Sequence, residues 1–198
     1  MTSTSSEFLD IPIEIRLEIY SHLLLCPPLD KLAPDTRPVQ RLHPAILKVN
    51  RQIHDEASPI LYCKNIFLAH ETLLASFPRL RPWYPPVKER SVLPRIRRFH
   101  IRVRLDCDPG YNAEAATAAF SGADQLVIEV RQSMFLGADH EVMQLFEGVR
   151  RVKVVKIYGS TTGFEDYARW LEDVMQSDAD DVDNVETRLA SFRGNHQV

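Results

Sequence analysis

Ile96-Arg97-Arg98-Phe99-His100-Ile101-Arg102-Val103-Arg104-Leu105 is the stretch on which the fold turns. From Phe99 onward apolar and polar side chains alternate, a period of two residues that marks a β-strand with one buried face. Phe99, Ile101 and Val103 point one way, and His100, Arg102 and Arg104 the other. The spacing returns twice. Ala123-x-x-Leu126-x-Ile128-x-Val130 and Val152-x-x-Val155-x-Ile157 repeat Ile96-x-x-Phe99-x-Ile101-x-Val103 at an interval in the twenties. In the third copy, expected over 152–158, Val154 competes with Val155 for the inward position, and the parity stays open. Helical segments follow each strand: an Ala-rich one at 112–120, one at 139–147 with Asp139 as N-cap and Gly148 as C-cap, and one at 164–176. In the last, Phe164, Tyr167, Leu171, Val174 and Met175 share one side. A strand-then-helix unit in repetition demands parallel pairing with right-handed crossovers. It is also the logic of a leucine-rich-repeat-like stack, and a plain small parallel βα sheet predicts nearly the same arrangement. Upstream, 65–69 is a short strand candidate, 70–77 reads as a helix stopped by Pro78, and the Pro-rich stretch 78–94 reads as a loop.

Before these units the period is helical. Residues 8–25 run Phe-Leu-Asp-Ile-Pro-Ile-Glu-Ile-Arg-Leu-Glu-Ile-Tyr-Ser-His-Leu-Leu-Leu, with Pro12 in the first turn, where a missing N–H costs nothing. Ile13, Leu17, Tyr20 and Leu24 form one apolar stripe; Ile15, Ile19 and Leu23 extend it, and Arg16 interrupts it. The apolar arc covers roughly 200°, about twice what one core requires. The helix is therefore expected to meet two neighbours, its own domain and either a partner chain or a second layer of the same chain. Pro27 and Pro28 end it. After a loop at 29–43, Ile46, Val49, Ile53 and Ala57 follow helical spacing, and Pro59 marks a bend, so two short helices are expected at 45–52 and 54–62.

The same residues carry a resemblance. Leu9-Asp10-Ile11-Pro12-Ile13-Glu14-Ile15, followed by Ile19-Tyr20-Ser21-His22-Leu23, resembles the opening of an F-box. A fungal F-box-like group opens Leu-Pro-x-Glu-Ile-Arg and continues Val-Asn-Arg-Gln-Ile. Here the second motif stands as Val49-Asn50-Arg51-Gln52-Ile53, within 47–57, followed by Pro59-Ile60-Leu61-Tyr62 and Asn65-Ile66-Phe67. Ile11 stands where the stricter pattern has Leu. The resemblance implies an α+β protein: a helical F-box-like unit at 8–62, then a parallel βα, leucine-rich-repeat-like region at 63–177. Residues 1–7 are expected to be disordered and 178–198 to form an acidic, polar tail. It further implies docking to the Skp adaptor of a cullin–RING ubiquitin ligase, with Leu9, Pro12, Ile13, Ile15 and Ile19 on the adaptor face and the second domain presenting a protein substrate.

Composition bounds the alternatives. The 198 residues are 44% hydrophobic and 26% charged with a net charge of −3, so no global basicity draws the chain to nucleic acid or an anionic membrane. No apolar run approaches a membrane span. Three cysteines, Cys26, Cys63 and Cys107, without a C-x-x-C or a secretory leader, argue for reduced thiols and a cytoplasmic or nuclear location.

No catalytic signature emerges, and no enzyme activity or cofactor is expected. His70-Glu71 and His140-Glu141 lack the second His of a zincin, and the glycines form no phosphate loop. His54-Asp55-Glu56 reads as a solvated helix face, because adjacent helical residues diverge. Asn50 reads as a helix-end residue in left-handed geometry, while Arg51 and Gln52 could be structural or functional. The basic run is more pointed: from Arg79 to Arg104 nine Lys or Arg face one acid, Glu89. His100, Arg102 and Arg104, with Val127, Glu129 and Arg131 beside them, would line an open sheet face. That face is either solvated strand surface or a recognition surface for acidic or phosphorylated partners. A stand-alone module binding nucleic acid there is the alternative to the ligase role.

Overall fold

The computed structural model describes residues 7–27, 42–132 and 140–178. Most of the expected lead-in, loop and tail, and Asp139, lie outside the described residues. The architecture is mixed α/β, and the chain divides into two compact units, Met1–Ile66 and Phe67–Val198.

The first unit is helical. A 3-10 turn, Glu7–Asp10, leads into α1, Ile13–Leu24, with Pro12 immediately before it. A second 3-10 segment, Pro44–Lys48, is followed by α2, Arg51–Pro59, which runs on into a π-helical turn, Ile60–Lys64. The break thus falls at Val49–Asn50, not at the expected 52–54. Asn50 is the reason: it is extended, not left-handed, and its side chain accepts from Ile53 N at 3.1 Å as an N-cap. Pro59 does not bend the chain away. Its backbone stays helical, and a π-helical turn follows it. Tyr20 and Leu24 of α1 are buried, as are Ile53, Ala57, Ile60 and Leu61. Asn65, expected in a strand, is buried at the end of this unit instead. It donates to Leu24 O and Leu61 O and accepts from Cys26 N, so one side chain caps the ends of two helices.

The second unit is built on a five-stranded sheet, mostly parallel. Its strands are β1 (Phe67–His70), β2 (Leu74–Arg79), β3 (Arg98–Arg104), β4 (Gln125–Arg131) and β5 (Val155–Gly159), in the spatial order β2-β1-β3-β4-β5. β1, β3, β4 and β5 run parallel; β2 is antiparallel to β1. The register sets the repeats side by side: Phe99 pairs with Leu126 and Leu126 with Val155, Ile101 with Ile128 and Ile128 with Ile157. Ile96, Ala123 and Val152 are all buried ahead of their strands. The open parity of the third copy resolves with Val155 inside and Val154 exposed, and its strand begins at Val155, not Val152.

Among the described residues the unit also has two helices, α3 (Ala113–Phe120) and α4 (Glu165–Gln176), and 3-10 segments at Leu93–Arg95 and His140–Phe146. Phe120 joins the sheet to the second 3-10 segment, with ring centroids 5.6 Å from Phe99 and 6.2 Å from Phe146. The segment expected as an α-helix at 139–147 is that second 3-10 one, and Gly148 is not among the positive-φ glycines that form left-handed caps. Trp170 joins the expected buried face of α4.

The largest departure is 70–77. It is not a helix but the turn and second strand of a β1–β2 hairpin. His70 Nδ1 accepts the backbone N–H groups of Thr72 and Leu73, which satisfies the turn, and Leu74 adopts a positive φ of 51° at its end. Pro78 sits in β2, the edge strand, where a missing donor is tolerated.

Candidate functional site

On α1, the inward face is not the expected stripe. Arg16, Tyr20 and Leu24, spaced four apart, are the buried residues. Ile13, Ile15 and Leu17 are 37%, 47% and 38% exposed. Pro12 is exposed as well, and Leu9 and Ile19 are half-buried. Arg16, which read as an interruption of the apolar side, is the centre of the buried one.

A charged side chain tolerates that position only with partners for each donor. Arg16 forms a bidentate pair with Glu56 of α2, Nε to Oε2 at 2.9 Å and Nη2 to Oε1 at 2.6 Å. Its Nη1 donates to Leu9 O at 3.0 Å and to Ile11 O. Glu56 also accepts from Tyr20 Oη at 3.0 Å and Gln52 Nε2 at 2.9 Å. Hydrogen bonding from Arg16 outweighs desolvation and holds the Glu56 carboxyl down at about 2. Burial, then the bond to Glu56, pushes the Tyr20 hydroxyl up to about 12. Glu56 is therefore not part of a solvated face, although His54 and Asp55 are, with Nδ1 and Oδ1 3.3 Å apart in solvent. The consequence is positional. The Leu9–Pro12 backbone is tied by its carbonyls to α1, and Phe8 packs on Tyr20 at 5.9 Å, so both sequence motifs are locked together through Arg16 and Glu56.

On the sheet, the expected open basic face is largely internally paired. His100 is 2% exposed; its Nε2 stands 3.2 Å from Glu129 Oε2 without a well-directed hydrogen bond. Burial depresses His100 to about 4, so it is neutral at pH 7 and not a surface cation. Arg102 Nε donates to Glu129 Oε2 at 3.0 Å and Arg131 Nε to Oε1 at 2.8 Å. Burial pushes Glu129 up, but the bonds from Arg131 and Arg102 prevail and hold it below the ordinary carboxylate value. Arg104 pairs with Asp106 through Nε at 3.2 Å and Nη2 at 3.1 Å. The strand pattern located these side chains on one face. The repeat alignment also set Glu129 beside Arg102, as the parallel ladder has it; it did not show that the carboxylate takes bonds from both Arg102 and Arg131 and so consumes much of the face's charge.

Among the described residues, no group of three His, Cys, Asp or Glu could hold a metal ion, and no helix is long and apolar enough to cross a membrane. None of the three cysteines is in a disulfide. In comparison with known proteins, the chain matches no family model, and no curated protein or solved structure is significantly similar to it.

Proposed function

We propose that the chain is an F-box-like protein-interaction module that docks to the Skp adaptor of a cullin–RING ubiquitin ligase. In this reading the helical unit is the F-box-like element, and the parallel sheet, used as a short leucine-rich-repeat-like stack, presents a protein substrate. The observation that carries it is the exposure of Ile13, Ile15 and Leu17 on a helix whose inward face is already filled by Arg16, Tyr20 and Leu24. Magnitudes narrow the docking face. Full burial of such a side chain contributes about 1.5–3 kcal/mol, and these three are only part exposed, so together they supply roughly 2–4 kcal/mol. Millimolar affinity already corresponds to about 4 kcal/mol. The lead-in residues Leu9 and Pro12, and Ile19, must therefore contribute, and the Arg16 clamp holds Leu9 in place for that. The reading assigns no catalytic residue and no cofactor.

Co-expression with the adaptor followed by pull-down tests it. Wild type is expected to retain the adaptor, and an Ile13→Asp, Ile15→Asp double variant to lose it while its circular dichroism and melting temperature stay close to wild type, since both side chains face solvent. A folded wild type that retains no adaptor overturns the reading.

A further inference from the structure

The sheet face that carries Arg102 has a cavity at its β2–β1–β3 end. The cavity measures about 250 Å³ and is lined by Leu68, Ala69, His70, Glu71, Phe77, Arg79, Pro82 and Arg102. Strand geometry explains the gathering. Arg79 pairs with Leu68 across the hairpin, and Leu68 with His100 in the parallel ladder, so these share a face, and His70 and Arg102 lie two residues further along it.

The polar groups here are unusual for being uncommitted. Arg79 Nε is buried and has no hydrogen-bond partner among the described residues. Among the described residues, the Arg102 side chain hydrogen-bonds only through its Nε, to Glu129. His70 Nδ1 accepts two backbone N–H groups, which places the ring proton of the neutral imidazole on Nε2, as a donor. Two guanidinium groups and an imidazole N–H thus converge beside Leu68, Phe77 and Pro82, against one carboxylate, Glu71. A buried donor without an acceptor is costly to leave unmade, and guanidinium forks match the oxygens of phosphate. The volume is below that of a pocket for a drug-sized ligand and suits a single ring-sized group with its charge.

We propose that this cavity binds a phosphate monoester carried on a small apolar body, with Arg79 and Arg102 on the phosphoryl oxygens, His70 Nε2 as a further donor, and Phe77 against the apolar part. That chemistry is shared by a phosphorylated tyrosine side chain of a partner polypeptide and by a free aryl phosphate. The site lies within the sheet unit and does not rest on the docking reading; its test contains no adaptor, so either can fail alone.

Isothermal titration of the full chain with phenyl phosphate, inorganic phosphate and benzoate tests the site. Phenyl phosphate is expected to bind in the millimolar range or tighter, and more tightly than either of the others. Arg79→Gln, checked for folding by circular dichroism, is expected to weaken phenyl phosphate by about tenfold or more, the loss of a charge-assisted hydrogen bond, and Arg79→Lys by less. Phe77→Ala, at an exposed position, is expected to weaken phenyl phosphate and leave inorganic phosphate unchanged. A phosphotyrosine peptide that binds more tightly than phenyl phosphate assigns a polypeptide source, and weaker binding assigns the free ester. No binding of phenyl phosphate, equal binding to folded Arg79→Gln, or tighter binding of benzoate overturns the proposal.

Discussion

Asn65 shows how one residue type settles a local arrangement. The last carbonyls of a helix have no intrahelical donor and need one from elsewhere. Asn65 Nδ2 supplies it to Leu24 O at 2.8 Å and Leu61 O at 2.9 Å, and Oδ1 takes the Cys26 N–H at 2.8 Å. Only an amide offers two donors and an acceptor in that space. Asn65→Ala removes three bonds, two of them buried, and is expected to destabilise the chain by about 2–4 kcal/mol, read as a lower urea midpoint with an unchanged slope. Asn65→Asp is expected to be worse, because it turns a donor into a carboxylate oxygen against two carbonyls. A midpoint unchanged in both variants would mean that water replaces the side chain there.

Among the elements, β5 depends on a close approach that only glycine allows. Gly159 pairs with Val130 at a φ of 111°, and a Cβ on it would collide with the Val130 carbonyl oxygen. Gly159→Ala is expected to cost roughly 1–3 kcal/mol from backbone conformation alone, and more from the collision, which would open the end of the β4–β5 ladder. Hydrogen exchange at Ser160 N, which donates to Val130 O at 2.9 Å, should then accelerate against that of Ile128 in the middle of the sheet. The β1–β2 hairpin teaches a different lesson at the same scale. Leu73 and Phe77 have helical spacing, but both are exposed in the hairpin, while Leu74 is buried. Pairing with β1 and the His70 cap on the turn outweigh a weak helical preference, as tertiary contacts routinely do.

At the scale of the whole molecule, His100 and Glu56 contribute to the acid profile in different windows. His100 titrates near 6.5 when unfolded and is lowered to about 4 by burial when folded. Between those values the unfolded chain binds the proton and the folded chain does not. The contribution of neutral His100 is thus fully present above about pH 6.5 and lost as pH falls toward 4, at most about 3–4 kcal/mol. Glu56 follows below it: its pKa is lowered from 4.5 to about 2, so its contribution is present above 4.5 and lost as pH falls toward 2. Urea midpoints measured across pH are expected to fall in both windows. His100→Gln should reduce the fall in the upper window, and Glu56→Gln should reduce it in the lower one, which Glu129 and Asp124 share. A profile of unchanged shape in His100→Gln would show that His100 is solvated in the folded state.

Sequence alone determined the periodic features. The period of two at Phe99–Leu105 and its later copies specified strands, the inward residues of the first two and, with helices between them, parallel order, because alternation and crossover handedness are local consequences of backbone geometry; the third copy left Val154 and Val155 in competition. The apolar side of α4 was legible for the same reason. What only the tertiary structure decided is where charge is buried. Arg16 sits on the inward side of α1 because Glu56, forty residues on, meets it there. Glu129 neutralises much of the basic face because its carboxylate folds between Arg102 and Arg131 and bonds to both. Arg79 and Arg102 share a cavity because a hairpin, not a helix, follows His70. Such pairings join residues distant in sequence, and their energy depends on desolvation and separation in space, which no periodicity encodes.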